Sequence, residues 1–462
     1  MSADAKASSP RSTSTATEDS RGAGRQSRKA LIVSSSFPYP KDIGRKVMLG
    51  GMVDFLVQEL GPENVCFASL SSTPDATLPE VAFRVAPIDI GPASRRILAM
   101  VGGSLLLRRH ALQEMAVYSP RAKRELAALT RSWQPGLVLL DTLRMAPYAS
   151  AFSPRQARRV LYLDDLYSER YLRILDSMKR FPDADIDALG TFARFLPAAL
   201  SRMAKDGFLA RRLLTGESKL MAKQEVLAPS LFDDVLLISD HEAEKLRLKT
   251  GATNIRRINP RLNEPSRVAA RSFDGRPIFV FLGNFDYPAN AQALRHFLAK
   301  VMPGAIERIP DLQLEVIGKG VPQDILNLGD SFGKQVRFLG FVPDLAGALA
   351  HAAGMVVPLL IGTGVKLKTI DALAHGLPII STPLGIEGTV LRDGLGCLIA
   401  ERPEEFPPLM AQALDPETNA RLSNDARRIF EAEYSAEALQ ASYRAIFMGG
   451  AASEGSAPSS SS

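Results

Sequence analysis

Residues 354–383 read GMVVPLLIGTGVKLKTIDALAHGLPIISTP, and this stretch decides the fold. Two apolar runs, 354–360 and 378–383, are typical of buried parallel strands. Between them lie a glycine loop and a segment with helical spacing, so the stretch predicts one β-α-β step of an open parallel sheet. Ligands bind such sheets at the carboxyl ends of the strands, which is where the loop at 362–364 lies.

The loop and the start of the following helix carry the chemistry of an anion site. Gly362 and Gly364, on either side of Thr363, let the backbone approach a ligand closely. Lys366 and Lys368 stand at the helix start, where free N–H groups and the positive dipole end attract anions. We therefore predict a diphosphate site; an ordinary βα loop with solvated lysines is the alternative.

Composition excludes several classes of protein. The chain has 462 residues, of which 46% are hydrophobic and 23% charged, as in soluble globular proteins with two or three domains. A net charge of +6 is too mild to argue for nucleic-acid binding. Cys66 and Cys397 are too few for a disulfide framework. The sequence opens with no secretory leader, and the longest apolar run, 97–107, is too short to span a bilayer, so a cytoplasmic location is expected.

Strand and helix patterns alternate in both halves of the chain, which predicts an α/β protein with parallel sheets covered by helices on both faces. Pro and Gly among polar residues mark a linker near 259–276. The predicted units are a disordered tail at 1–28, a domain at 29–260, a second domain at 277–432, a helix at 433–448 and a disordered tail at 449–462.

Two segments of the first half depart from the alternation. Prolines and glycines between 38 and 51 predict an irregular loop before a helix at 52–60. At about 167–227 a long helical insertion sets basic residues among apolar ones, either as a helical cap or as a surface that touches an anionic membrane. Its basic residues include Arg202, Lys205, Arg211, Arg212, Lys219 and Lys223.

Several fragments, in order, resemble the donor half of GT-B glycosyltransferases of the group 1 type (glycosyltransferase family 4). They are FLGNFDYPANAQAL (281–294), LEVIGKG (314–320), VRFLGFVPDL (336–345) and the stretch that ends in STPLGIEG (381–388). The first half is similar more loosely, through FPYPKDIGRK (37–46), LYLDDLYSERY (161–171) and LLISDHEAEKL (236–246).

The resemblance implies two Rossmann-like domains that face each other across a cleft. The first would bind the acceptor, the second a nucleotide-sugar, and the last helix would cross back onto the first domain. The implied reaction moves a hexose-type sugar from a nucleotide diphosphate, with retention, to a saccharide or lipid-linked acceptor in polysaccharide or glycoconjugate assembly. The nucleotide-sugar is a co-substrate, and no metal or other cofactor is expected.

The resemblance also implies roles for individual residues. Lys366 and Lys368 would stabilise the leaving phosphate, because cations aimed at developing charge lower a barrier. Gly44 and Arg45 would complete the clamp when the cleft closes. Asp371 occupies the second acidic position of the family's E-x7-E pattern and would hold the ribose; the first acidic position is Thr363, which is a departure from the pattern.

The resemblance also implies roles for the other loops of the donor site and for residues on the acceptor side. Gly283 and Asn284 stand where many relatives carry an Arg and a Lys for phosphate. The loop Gly340, Phe341 and Val342 would receive the nucleobase. In place of the family's cleft histidine, the stretch at 139–149 offers Asp141 and Arg144 as catalytic candidates.

Two other functions stay open beside transfer. One is a non-catalytic relative that binds a sugar nucleotide or a partner protein, and the other is a nucleotide-sugar epimerase. Metal binding is not predicted, because the histidines have no metal-ligand spacing. They are His110, His241, His296, His351 and His375.

Overall fold

The computed structural model describes residues 28–41, 44–73, 78–92, 111–180, 207–261, 271–361 and 365–449, with side chains described up to 176 and from 211 in the two helices that border the gap at 181–206. The first half forms a seven-stranded parallel sheet with the order β3-β2-β1-β4-β5-β6-β7. Its strands are β1 (Ala30–Ser34), β2 (Val65–Ser71), β3 (Arg84–Asp89), β4 (Leu137–Asp141), β5 (Arg158–Asp164), β6 (Asp234–Leu237) and β7 (Ile255–Arg257).

Helices cover both faces of this sheet. Successive residues of a strand point to opposite faces, and in β1 Leu31 and Val33 join one buried cluster while Ala30 and Ile32 join another. Both faces are therefore apolar, as buried parallel sheets require. The helices are α1 (Gly44–Leu60), α2 (Leu112–Val117), α3 (Pro120–Trp133), α4 (Tyr167–Arg180), α5 (Gly207–Leu231) and α6 (Asp240–Thr250).

The second half repeats the architecture in a sheet with the order β10-β9-β8-β11-β12-β14-β13. Its strands are β8 (Ile278–Leu282), β9 (Gln313–Ile317), β10 (Val336–Gly340), β11 (Gly354–Val357), β12 (Ile379–Ser381), β13 (Arg392–Asp393) and β14 (Gly396–Ile399). Its helices are α7 (Pro288–Lys300), α8 (Met302–Arg308), α9 (Gln323–Asp330), α10 (Leu345–Ala350), α11 (Leu367–Ala374), α12 (Phe406–Gln412) and α13 (Pro416–Glu433). The predicted fold class, two α/β domains with parallel sheets, is confirmed.

The final helix, α14 (Ala436–Phe447), packs on the first domain. Tyr443 and Phe447 lie in the same apolar cluster as Phe55 of α1, and the Tyr443 hydroxyl donates to the Asn259 carbonyl over 2.9 Å. Arg444 pairs with Glu59 of α1 at 2.7 Å. The described part of the chain therefore begins and ends on the same domain, which ties the two halves together.

The predicted loop at 38–51 is wrong in its second part, because α1 already begins at Gly44. Gly50 and Gly51 lie inside this helix, where neighbouring side chains leave no room for a Cβ atom. A Cβ at Gly50 would lie 2.7 Å from Lys41 Cε, and one at Gly51 would lie 2.7 Å from Arg261 Cβ. These glycines therefore allow close packing and do not make a turn. Gly44 and Arg45, expected in a loop, are the first residues of the helix.

The helical insertion contains α4 and α5, which pack against each other, whereas Arg202 and Lys205 lie outside the described residues. The short strands β7 and β13 were not predicted, since three and two residues are too few to show a period. Cys66 and Cys397 are buried free thiols.

Candidate active site between the two domains

The start of α1 and the start of α11 bring the two domains together. A Cβ at Gly44 would lie 4.0 Å from Leu367 Cδ1, which is ordinary contact. Val365 packs against the apolar clusters of both domains. The predicted first-domain residue Gly44 therefore lies beside Leu367, which stands between the predicted lysines Lys366 and Lys368 in the chain. Gly362, Thr363 and Gly364 lie outside the described residues.

Lys366 and Lys368 are cations held in largely buried surroundings. The Lys366 side chain is 9% exposed, and its Nζ lies 3.9 Å from Glu387 Oε2. Burial lowers its pKa to about 8, although the Glu387 carboxylate raises it in part. Lys368 Nζ donates to Asn290 Oδ1 over 2.7 Å and lies 5.3 Å from the centre of the Phe281 ring. Burial and the charge of Lys366 lower its pKa to about 7. A bound anion would relieve this desolvation cost for both groups.

The loop after β8 is joined to Lys368 through Asn290. Asn290 Nδ2 donates to the Asn284 carbonyl over 2.8 Å, while the Gly283 amide donates to the Ile317 carbonyl over 3.0 Å. A Cβ at Gly318 would lie 1.6 Å from the Gly283 carbonyl oxygen, so only glycine fits there. The structure thus brings Gly283, Asn284 and Lys368 together at the carboxyl ends of neighbouring strands.

Asp371 and the loop after β10 are the other predicted donor contacts. Asp371 lies one turn into α11, and burial raises the pKa of its carboxyl to about 6. No hydrogen bond to this carboxyl comes from the described part of the chain. Gly340 has φ +62°, in the left-handed region, and the next residue, Phe341, is 80% exposed. Val342 packs against the domain core. The Phe341 ring is thus available to a planar partner.

Asp141 and Arg45 form an ion pair at the carboxyl end of β4. Arg45 Nη2 lies 2.8 Å from Asp141 Oδ2, and the Ser34 hydroxyl of β1 donates to the same oxygen. Asp141 is fully buried. Burial alone would lower the pKa of Arg45, but the Asp141 carboxylate, together with Tyr167 and Asp164, more than offsets this, so the pKa lies above its ordinary value. Arg45 follows Gly44, which is the residue of α1 that contacts Leu367 of α11.

Arg144 lies three residues after Asp141 in the chain and is buried among helices of the first domain. Its Nε donates to Gln113 Oε1 of α2 over 2.6 Å, and its guanidinium lies 5.6 Å from the centre of the Tyr167 ring of α4. Burial lowers its pKa. These partners hold the Arg144 guanidinium against α2 and α4.

Sequence reasoning missed a charged bridge across the cleft. Arg173 of α4 donates from Nη1 to Glu387 Oε1 of the second domain, and from Nη2 to Glu242 Oε1 of α6 over 2.9 Å. Burial raises the pKa of Glu242. A small cavity of about 10 Å³ lies at this bridge. It is lined by Asp164, Asp165, Ile238, Ser239, Glu242, Val365, Glu387 and Gly388. Both ends of the bridge lie in or beside fragments that carry the family resemblance, and that proximity was the only sequence signal.

Diphosphate binding is expected to weaken roughly tenfold as the pH rises from about 6.5 to 9. Lys366 and Lys368 lose their protons in this range, and with them a charge-assisted bond of about 1.5–3 kcal/mol. Titration calorimetry with nucleoside diphosphates across this range measures the effect. Lys368→Arg should flatten the profile, because arginine keeps its charge. An affinity that stays constant across the range in the unaltered protein would contradict the lysine site.

Two facing α/β domains with a ligand site at the strand ends define the GT-B architecture. Among solved structures, HepE from Anabaena in complex with UDP is similar over 90% of this chain and 99% of that one, with a TM-score of 0.57 and 11% identity. Sucrose-phosphate synthase from Thermosynechococcus elongatus is similar over 91% of this chain and 100% of that one, with a TM-score of 0.56 and 16% identity. These likenesses establish the GT-B fold.

Residues 276–415 match the family described as Glycosyl transferases group 1. The protein therefore carries a group 1 glycosyltransferase domain in the second half of a GT-B fold. A phosphatidyl-myo-inositol mannosyltransferase of Mycobacterium tuberculosis is 31% identical over 170 residues, which are 35% of this chain and 43% of that relative. The match thus spans less than half of the length of this relative.

Proposed function

We propose that this protein moves a hexose-type sugar from a nucleotide-diphosphate sugar to a saccharide or lipid-linked acceptor, with retention, in glycoconjugate assembly. The observation that carries the proposal is the pair of buried lysines at the start of α11, inside the group 1 domain and beside the start of α1. Breaking a sugar–diphosphate bond places negative charge on the leaving phosphate. Lys366 and Lys368 lie where a diphosphate at this helix start would place that charge, and preorganised cations lower the barrier.

The other residues act around this centre. In this proposal Arg45 approaches the diphosphate from the first domain, and the backbone of 362–364 adds N–H donors. Asp371 accepts hydrogen bonds from the ribose, and residues 340–342 receive the base. Asp141 and Arg144 form the acceptor side. The protein's own cations neutralise the leaving group, so the proposal includes no metal or cofactor.

A thermal-shift screen against UDP, GDP and ADP tests the proposal. A ligand that binds only the folded state raises the stability by about 2.7 kcal/mol at a concentration one hundred times its Kd. We expect one diphosphate to raise the melting temperature, and UDP is the first to test because HepE was solved with it. The next measurement is release of that diphosphate from its sugar conjugate, with and without acceptor. Release that occurs only with acceptor distinguishes transfer from epimerisation. No shift with any of the three would contradict the proposal.

A sugar-nucleotide-binding protein without turnover is the second candidate. Thr363 stands at the first acidic position of the family pattern, and a hydroxyl cannot supply the charge of a carboxylate there. A thermal shift without any release of diphosphate, over a panel of saccharide and lipid-linked acceptors, would favour this candidate.

We further propose that α5 touches the anionic inner face of the cytoplasmic membrane. Its exposed face is basic in the first part, with Arg211, Arg212, Lys219 and Lys223, and apolar in the last part, with Val226, Leu227 and Leu231. Its opposite face packs on α4 as a cap. Among the described residues, no helix has the length and apolar character that a bilayer span requires.

Vesicles of phosphatidylcholine with phosphatidylglycerol are expected to bind the protein at low salt, and pure phosphatidylcholine vesicles are not. Each basic residue near an anionic surface contributes about 1 kcal/mol, so Lys219→Gln with Lys223→Gln should weaken binding roughly 30-fold. Lys300→Gln with Lys334→Gln, on the second domain, is the matched control. Co-sedimentation measures the fraction of protein bound to the vesicles. If no protein binds at low salt, the membrane contact is wrong and α5 is only a helical cap on the first domain.

A further inference from the structure

Glu387, in the loop after β12, lies between two cations that belong to different domains. Its Oε1 atom accepts a hydrogen bond from Arg173 Nη1 of the first domain, and its Oε2 atom lies 3.9 Å from Lys366 Nζ of the second. Oε2 is buried and accepts no hydrogen bond from the described residues. Because 3.9 Å is longer than a hydrogen bond, Glu387 acts on Lys366 through its charge.

The loop that carries Glu387 is packed against the start of α11. Gly388, the next residue, has φ +79°, and a Cβ there would lie 2.5 Å from Val365 Cγ2. Val365 directly precedes Lys366 in the chain. The approach of Glu387 to Lys366 is therefore built into the second domain, whereas its bond to Arg173 joins the two domains.

The two partners of this ion pair act on Lys366 in opposite directions. Burial lowers the pKa of Lys366, the Glu387 carboxylate raises it in part, and the Arg173 guanidinium lowers it further. The remaining charged groups near Lys366 are Asp165 after β5, Glu242 of α6 and Lys368 of α11. A buried lysine keeps its proton only where an opposite charge compensates for its lost hydration. Glu387 has the largest effect among these charges, so it is the group that keeps Lys366 charged.

We propose that Glu387 is the resident counter-ion of Lys366, a positioning residue that keeps this lysine charged before a diphosphate arrives and then gives way to it. The inference rests on the proposed glycosyltransferase function and deepens its phosphate site. Arg173 allows the exchange, because the carboxylate keeps a charged, hydrogen-bonded partner when Lys366 binds the phosphate. A carboxylate paired with Lys366 alone would be left without a partner in a largely buried place, which is costly.

The test compares two substitutions that break the same ion pair, Glu387→Gln and Arg173→Gln, in the full-length protein. Calorimetry measures the Kd of the diphosphate found in the thermal-shift screen between about pH 6 and 10, and the titration of the ligand itself is common to all forms. A contact that only fastens the domains together is lost in both variants, so both profiles would then change in the same way. The counter-ion role predicts opposite changes.

Glu387→Gln is expected to move the alkaline loss of affinity about one pH unit lower, because the pKa of Lys366 falls when the carboxylate is removed. At about pH 6 Lys366 is charged in either form, so the affinity there should not fall. Glutamine has the shape of glutamate and still accepts from Arg173, which keeps the packing.

Arg173→Gln is expected to move the same alkaline loss to higher pH. The substitution removes a positive charge near Lys366 and leaves the Glu387 carboxylate to this lysine, so the pKa of Lys366 rises. Damage to the cleft does not imitate this result, because the loss of a contact between the domains should only weaken binding.

Two controls separate the electrostatic role from a structural one. Glu433→Gln removes the acceptor of another ion pair between the domains, Arg257 Nη1 to Glu433 Oε2 at 3.2 Å, and should leave the pH profile unchanged. Lys366→Met, with and without Glu387→Gln, shows whether Glu387 acts through the lysine. In Lys366→Met the second substitution should no longer shift the profile, because residues that act through each other are not additive.

The outcomes distinguish the inference from the proposed function. If a diphosphate binds and the two variants shift the profile in opposite directions, Glu387 is the counter-ion. If a diphosphate binds with any other pattern, such as equal shifts or none, the inference is wrong and the proposed function stands. If no diphosphate binds to the unaltered protein, the proposed function itself fails.

Discussion

Lys366→Ala is expected to lower kcat/KM for sugar transfer by on the order of a hundredfold, as the loss of one preorganised transition-state donor does. The Lys366 side chain is 9% exposed at the start of α11, so water cannot replace its charge well. The main loss should be in kcat, because the charge on the leaving phosphate is greatest in the transition state. Steady-state release of the diphosphate, with donor and acceptor varied separately, measures the effect.

Two further variants show whether charge or packing is responsible. Lys366→Arg keeps the positive charge and should recover part of the activity, although its planar group differs in shape. Lys300→Ala, at the exposed end of α7, removes a lysine from the surface of the same domain and should change nothing. Unchanged kinetics in Lys366→Ala would remove this residue from the site. An equal loss in Lys300→Ala would show that the effect is not local.

Asp371→Ala is expected to weaken nucleotide binding by roughly 1–3 kcal/mol, which is about 5- to 150-fold in Kd. The carboxyl accepts no hydrogen bond from the described residues, and burial raises its pKa to about 6, so it is ionised at neutral pH and able to accept from two ribose hydroxyls. The loss should be larger at pH 7.5 than at pH 5, because the unaltered carboxyl is protonated below its pKa and is then a weaker acceptor.

Calorimetry with the diphosphate found in the thermal-shift screen measures this change. Asp330→Ala, at the exposed end of α9, is the matched control and should bind as the unaltered protein does. Removal of the ribose hydroxyls from the ligand gives an independent check. A 2′,3′-dideoxy diphosphate should bind the unaltered protein and Asp371→Ala with equal affinity. Equal affinity of the two proteins for the ribose form would contradict the assignment.

The two-domain α/β fold could be predicted because its signals are local. Apolar runs such as 354–360, separated by helical spacing, are a property of consecutive residues. The start of α1 could not be predicted in this way. Gly50 and Gly51 look like loop residues in sequence, but they lie in the helix to admit Lys41 and Arg261, and Arg261 is far away along the chain.

The same difference applies to the site. Lys366, Lys368 and Asp371 were accessible to sequence reasoning, since they lie within six residues of one another at the start of one helix. The pairing of Arg173 with Glu387 joins residues 214 positions apart, and no pattern in either segment indicates it. The positive φ of Thr142, +69°, is likewise invisible in the letters LLDTLR, because a β-branched residue after a strand normally continues it.

The sequence by itself determined the two parallel sheets, the glycine loop with its lysines and the resemblance to group 1 glycosyltransferases, because each depends on residues that are neighbours in the chain. Only the tertiary structure decided which first-domain groups face those lysines. It placed Gly44 of α1 beside Leu367 of α11, paired Arg45 with Asp141 and bridged the cleft through Arg173 and Glu387. The physical reason is that charge, burial and strain at a cleft arise from the approach of segments that the chain itself holds far apart.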